Sequence, residues 1–239
     1  MKELITSILD RSRKSEDINH LVTLEDVKQN PVVESYLAAT DRHMAYLGYI
    51  EHGKRHANLV ATIAYNILRR LGRSEREAEL AGIAGYLHDL GSLINRRDHA
   101  KAGALLANQI LLEMGMDPRE VAEIVAAIGN HDESSFDPVS GITAALVLAD
   151  KSDVHRSRVR GQETDKFSQH DRVNYAVENS FLRVDQEKKE ILLELSINTD
   201  ISPVMEYFEA FLTRMLVSQK AAEFLNCRFA LEINGTRLS

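Results

Sequence analysis

The 239-residue sequence predicts a mainly α protein, a helical bundle followed by a small C-terminal α+β unit. Two observations predict it. Between residues 31 and 178, apolar side chains recur at three- and four-residue spacing, the period of an amphipathic helix. The period then changes: Ile191, Leu193, Leu195 and Ile197 alternate with Leu192, Glu194, Ser196 and Asn198, which is a strand pattern. The chain divides accordingly into an N-terminal helical extension (1–30), the bundle (31–178) and the C-terminal unit (179–239).

Residues 1–20 read as a short amphipathic helix (Leu4, Ile5, Ile8, Leu9) with a polar tail. Thr23 caps a short helix through Val27, and Pro31 opens the next, to about residue 46, in the first turn where proline is tolerated. Leu59, Val60, Ile63, Ile67 and Leu71 mark one face of a helix over 51–71. The bundle's central stretch is 81–93, AGIAGYLHDLGSL, begun by Ser74 with Glu77 as a capping box and stopped by Gly91. Further helices are expected over 98–114, from Pro118 behind its Asp117 cap to 128, over 141–158 behind Ser140, and over 169–178. The C-terminal unit then has a strand over 181–185, its partner around 191–197, a long helix opened by Pro203, and a last strand with Phe229, Leu231 and Ile233 before Asn234-Gly235. This unit is expected to be separable and packed on the bundle. The apolar face of its helix (Phe208, Phe211, Leu212, Met215, Leu216) serves either the core or a homodimer.

A net charge of −7 argues against general nucleic-acid binding, which needs a basic face. The single cysteine, Cys227, permits neither a disulfide framework nor a thiolate cage within one chain. No apolar run is long enough to span a bilayer, and the charged start lacks a signal-peptide core. These features lead us to expect a cytoplasmic protein.

His88 and Asp89 sit side by side at the end of a helix that the pattern buries. Burying such groups costs several kcal/mol, roughly, unless hydrogen bonds or a metal satisfy them. His56, His99, His131 and Asp150 have matching settings: His56 shares a helix face with Val60, Ile63 and Ile67, His99 stands in the first turn of its helix, His131 follows Gly129 just past a helix end, and Asp150 closes an apolar run. Taken singly, a buried histidine is more often bonded to a carbonyl than to a metal. Five separate helices or helix ends, each turning an imidazole or carboxylate inward, favour a divalent transition metal. His20, His43, His52, His155 and His170 lack this setting.

The order His56, His88-Asp89, Asp150 resembles the signature of the HD superfamily of metal-dependent phosphohydrolases, and His99 and His131 resemble the added pair of its two-metal members. Locally, Asp153 and Arg156 are similar to residues of the bacterial symmetrical diadenosine tetraphosphate hydrolases. The chain departs from the superfamily's cyclic-dinucleotide phosphodiesterases: Ser92 follows Gly91 where they have a lysine, and Asp132 follows His131 where they pair histidines. The resemblance implies an HD-domain helical bundle. One ion would be held by His56, His88, Asp89 and Asp150. A second would be bridged by Asp89 to His99 and His131. Manganese, iron, magnesium, nickel, cobalt and zinc are not distinguished by this set. It implies hydrolysis of a phosphoester or phosphoanhydride in a small, nucleotide-like substrate, because a bound metal acidifies water and neutralises phosphate oxygens. Lys54, Arg96, Lys151 and Arg156 are the candidate phosphate-binding residues, with Arg158 and Arg160 nearby. Asp89, Asp132 and Asp153 are the candidate catalytic carboxylates, for proton transfer or ligand orientation. Two other readings stay open: a diiron oxygenase of the HD class, and an inert, metal-stabilised sensing module.

Overall fold

The computed structural model describes residues 21–133, 136–161 and 167–238, so the amphipathic helix expected over 1–20 lies outside the described residues. Local capping sets most helix starts. Thr23 and Asp26 form a reciprocal capping box on α1 (Leu24–Gln29). Asn30 caps α2 (Pro31–Tyr46), whose first residue is the proline. Helix α3 (Lys54–Arg70), with Gly53 as N-cap, starts three residues later than the apolar pattern suggested, because Glu51 is drawn into bonds with Arg158, the His52 N–H donates to Asp41 and the Gly53 N–H to the Glu51 carboxylate. The buried stripe of α3 is Ala57, Val60, Ala61, Ala64, Ile67 and Leu68, while Leu59 is exposed.

Helix α4 (Glu75–Leu87) starts where the Ser74 hydroxyl accepts the Glu77 N–H. It ends at Leu87, ahead of the predicted stop. A 3₁₀ turn, Leu90–Leu93, then contains Gly91. The glycine is there for close approach instead: a Cβ on Gly91 would lie 2.0 Å from the His99 carbonyl oxygen and 2.3 Å from the Gly103 nitrogen. Gly85 does the same between α4 and α3, where a Cβ would meet the Ala61 Cα at 2.9 Å. The bundle continues through α5 (His99–Glu113), α6 (Pro118–Gly129) and α7 (Gly141–Ser152).

The helix predicted to reach residue 158 stops at Ser152. Asp153 leaves the helical region (φ −80°, ψ 72°), and Arg156–Arg158 form a separate 3₁₀ turn. Tertiary bonds outweigh helix propensity here. The Asp153 carboxylate is engaged by α3, and buried Arg158 donates to the carbonyls of Glu51 and Asp153.

Ser168 and Asp171 box the start of α8 (Gln169–Ala176). Strand β1 (Val177–Asp185) pairs antiparallel with β2 (Glu190–Ile197). Helix α9 (Val204–Phe224) is the crossover to β3 (Arg228–Ile233), which pairs parallel with β2. Asn234 and Gly235, both at positive φ, turn the chain into the short β4 (Thr236–Arg237). The sheet order is β1-β2-β3-β4. The predicted α+β unit is therefore present. The buried stripe of α9 is Tyr207, Phe211, Met215, Ser218 and Ala222, whereas Leu212 and Leu216 are exposed.

Two hydrophobic clusters result. The larger joins α3, α4, α6 and α7 and also takes in Val217, Ala221, Ala222 and Leu225 of α9 and Ile191 of β2. The smaller lies between α8, α9 and the sheet around Tyr207 and Phe211. No helix among the described residues is long and apolar enough to cross a membrane.

Candidate metal centre

The glycine contacts at 85 and 91 draw α3, α4 and α5 together, and their ends meet. His56 comes from the first turn of α3, His88 and Asp89 from the end of α4, and His99 from the start of α5. His131 follows α6, and Asp150 lies in the last turn of α7. The four histidines and Asp89 are buried.

Each imidazole commits Nδ1 outward. His88 donates to the Gly85 carbonyl at 2.8 Å, His99 to the Arg96 carbonyl at 3.0 Å and His131 to the Ile128 carbonyl at 2.6 Å. A carbonyl oxygen only accepts, so these Nδ1 atoms carry the proton and a neutral ring presents its lone pair at Nε2. His56 Nδ1 lies 2.6 Å from Asp153 Oδ2. The four Nε2 atoms converge: 3.3 Å separates His56 from His88, and 3.2 Å separates His99 from His131.

The two halves differ in their electrostatics. Asp89 Oδ2 lies 3.5 Å from His56 Nε2 and 3.2 Å from His88 Nε2, and Asp150 Oδ1 lies 3.3 Å from His56 Nε2. Burial alone would lower the His88 pKa, but Asp89 and Asp150 outweigh it and raise it to about 10. His56 is likewise raised, by bonds to three carboxylates against burial and the Arg158 charge. At the other pair burial prevails. It lowers His131 to about 3, with His88, His99 and Lys151 adding to the effect, and it lowers His99. His99 and His131 are thus neutral, and their Nε2 lone pairs face each other with no proton between them. Two facing lone pairs repel unless a cation sits between them, so the donor set fits a divalent ion.

Asp89 divides its oxygens: Oδ2 faces His56 and His88, and Oδ1 lies 3.5 Å from His99 Nε2. Two overlapping triads, His56–His88–Asp150 and His88–Asp89–His131, have ligand atoms within 4.8 Å of one another and could each hold an ion. All six ligand candidates are therefore brought together.

The other candidates divide. Arg96 Nη1 donates to Asp89 Oδ1 at 3.0 Å and to the Ser92 hydroxyl at 3.2 Å. Buried Lys151 donates to Asp150 Oδ2 at 2.7 Å and lies 3.3 Å from Glu133. Asp153 holds His56 and is itself held by Arg55 Nη2 at 2.8 Å; burial would raise its pKa, but His56, Arg158 and Arg55 keep it well below the usual carboxylate range. Asp132 Oδ2 lies 3.6 Å from His99 Nδ1. Lys54 and Arg156 are not drawn to the cluster. Lys54 pairs with Glu34 at 3.1 Å, and Arg156, off the end of α7, pairs with Glu178 at 2.8 Å. Arg158 is a buried strut, and Arg160 pairs with Asp41.

Two nearby residues escape the sequence pattern. His52, in the loop before α3, is buried with its ring centroid 5.9 Å from that of His56. Arg214, on α9, donates to Glu133 at 3.1 Å and continues the charge chain Asp150–Lys151–Glu133. Neither follows the bundle's periodicity. His52 lies outside any helix, and Arg214 belongs to a unit more than sixty residues downstream.

Residues 54–167 match the family model of the HD domain. The chain carries an HD domain. Over those residues, just under half of the chain, it is similar to the metal-dependent phosphohydrolases, the general class of HD domains. MJ1020 of Methanocaldococcus jannaschii, an uncharacterized protein, is 25% identical over 182 residues, 64% of this chain and 69% of the relative. YueE of Bacillus subtilis (strain 168), provisionally named a phosphohydrolase, is 29% identical over 126 residues, 47% of this chain and 63% of the relative. The chain thus spans less than two thirds of YueE. The HD match contains all six ligand candidates together with Arg96, Asp132, Lys151 and Asp153, and it ends before α8, β1 and α9.

Proposed function

We propose that this protein hydrolyses a phosphoester or phosphoanhydride bond of a nucleotide-like substrate, using one or two divalent ions held by the HD cluster. The convergence of four Nε2 atoms whose Nδ1 partners are fixed carries the reading. His56, His88, Asp89 and Asp150 would hold one ion. Asp89, His99 and His131 would hold the other. The ions would supply acidified water and charge neutralisation at the phosphate.

The remaining roles belong to the protein. Arg96 and Lys151 place positive charge against Asp89 and Asp150, where phosphate oxygens would approach. Arg96 suits a paired contact with phosphate. Asp153 orients His56. Asp132, partly exposed beside His99, is the proposed proton-transfer group.

The test is release of hydrolysis products, separated by chromatography, from a panel of nucleotides by full-length protein loaded in turn with each of the six metals. We expect release from at least one nucleotide, its loss in Asp89→Ala, and metal-depleted Asp89→Ala protein by elemental analysis. No release under any loading would overturn the proposal, and turnover that consumes dioxygen would support the oxygenase reading.

A further inference from the structure

A cavity of about 340 Å³ adjoins the metal centre. Tyr49, His52 and Arg96 line it from the side of the HD cluster, and His170, Asn174 and Arg214 line it from α8 and α9. Its size suits part of a small ligand. It reaches the edge of the centre, because Arg96 bonds the Asp89 carboxylate and His52 stacks edge-on to His56. None of the six ligand candidates lines it. A phosphate undergoing cleavage would sit on those ligands, so this space would receive a different part of the substrate.

The lining is cationic in a chain of net charge −7. Its one acidic residue, Asp171, is engaged: its carboxylate accepts from the Ser168 N–H at 3.1 Å and hydroxyl at 2.7 Å. Arg96 commits Nη1 to Asp89 and Ser92, and Arg214 commits Nε to Glu133. A guanidinium has five N–H donors, so each arginine keeps donors for an anion. Arg214 is also held in place, its guanidinium 4.3 Å from the centroid of the Phe211 ring.

We propose that this cavity binds a second phosphate of the substrate, one that is not transferred, and that Arg214 is the specificity-determining residue. The proposal rests on the phosphohydrolase reading and extends it. The HD domain would provide the metals, and the C-terminal unit would select substrates carrying more than one phosphate.

The test is calorimetric titration of manganese-loaded full-length protein with inorganic tripolyphosphate and with orthophosphate. In the wild type, tripolyphosphate should bind more tightly. Arg214→Ala should weaken tripolyphosphate by about tenfold or more, Arg214→Lys by less, and orthophosphate should change by no more than about twofold. Metal content and the thermal midpoint are measured on each variant, and Arg214→Gln, which keeps the stem over Phe211, replaces the alanine variant if that fails to fold. A second arm compares kcat/KM for a nucleoside triphosphate with that for p-nitrophenyl phosphate. The ratio should fall by about tenfold in Arg214→Ala. Equal weakening of both phosphates, or of neither, would overturn the subsite. Wild-type protein that binds tripolyphosphate through Arg214 but hydrolyses nothing would overturn the enzymatic reading and leave the subsite standing.

Discussion

Asp153 shows how much a single side chain can do without being a ligand. It accepts from His56 and Arg55 and lies 3.6 Å from Arg158 Nε. A carboxylate behind an imidazole fixes the ring and raises its basicity toward a metal. Asp153→Asn keeps the shape and removes the charge. We expect metal affinity to fall by about 10- to 100-fold, measured by competition with a chelator, with little change in fold. Unchanged affinity would make Asp153 only a structural partner of the two arginines. The sequence marked this residue as a candidate but not its target, because the contact bridges 97 positions. The six ligand candidates were easier to read, since each lies beside an apolar helical run whose buried face is predictable. Arg156 was placed on a helix that ends at Ser152, and the bonds of Asp153 to Arg55 and His56 and of Arg158 to Glu51 that end it are tertiary.

At the scale of elements, the site depends on how closely helices approach. The 3₁₀ turn after His88 lies against the start of α5 only because residue 91 has no side chain. In sequence, that glycine looks the same as a helix stop, and only the neighbouring backbone distinguishes the two roles. Gly91→Ala would force the His99 carbonyl and the Gly103 amide away from the turn, moving His99 relative to Asp89. Overpacking of this kind costs about 1–3 kcal/mol, and contact with rigid backbone places this substitution at the upper end. The urea midpoint should fall accordingly, and elemental analysis should show less than the wild-type metal content. A variant with wild-type stability and metal would mean that the turn relaxes without strain. Period-two alternation and the Asn234-Gly235 turn report local geometry directly, but the first strand begins at Val177, inside the helix expected over 169–178 and four residues ahead of the strand expected from 181. The facing of α9 did not follow from its apolar residues alone, because Leu212 and Leu216 could be assigned to the buried side as readily as Tyr207.

Across the whole molecule, the bundle and the C-terminal unit share their interior. Val217, Ala221, Ala222 and Leu225 of α9 belong to the same cluster as Ile67, Leu68 and Leu146 of the bundle. Arg214 also ties α9 to Glu133, next to the metal centre. Removing the C-terminal unit would therefore expose part of the bundle's core, which argues against the separability expected from the change of period. Full-length protein should unfold in urea in one transition, the same by far-UV circular dichroism and by tyrosine fluorescence. An ion that binds only the folded chain adds RT ln(1 + [M]/Kd), about 2.7 kcal/mol at a hundred times Kd. Stripping metal with a chelator should therefore lower the midpoint of that one transition without splitting it. Two transitions, with only the first sensitive to chelator, would show that the C-terminal unit folds on its own and that the shared cluster contributes little to cooperativity.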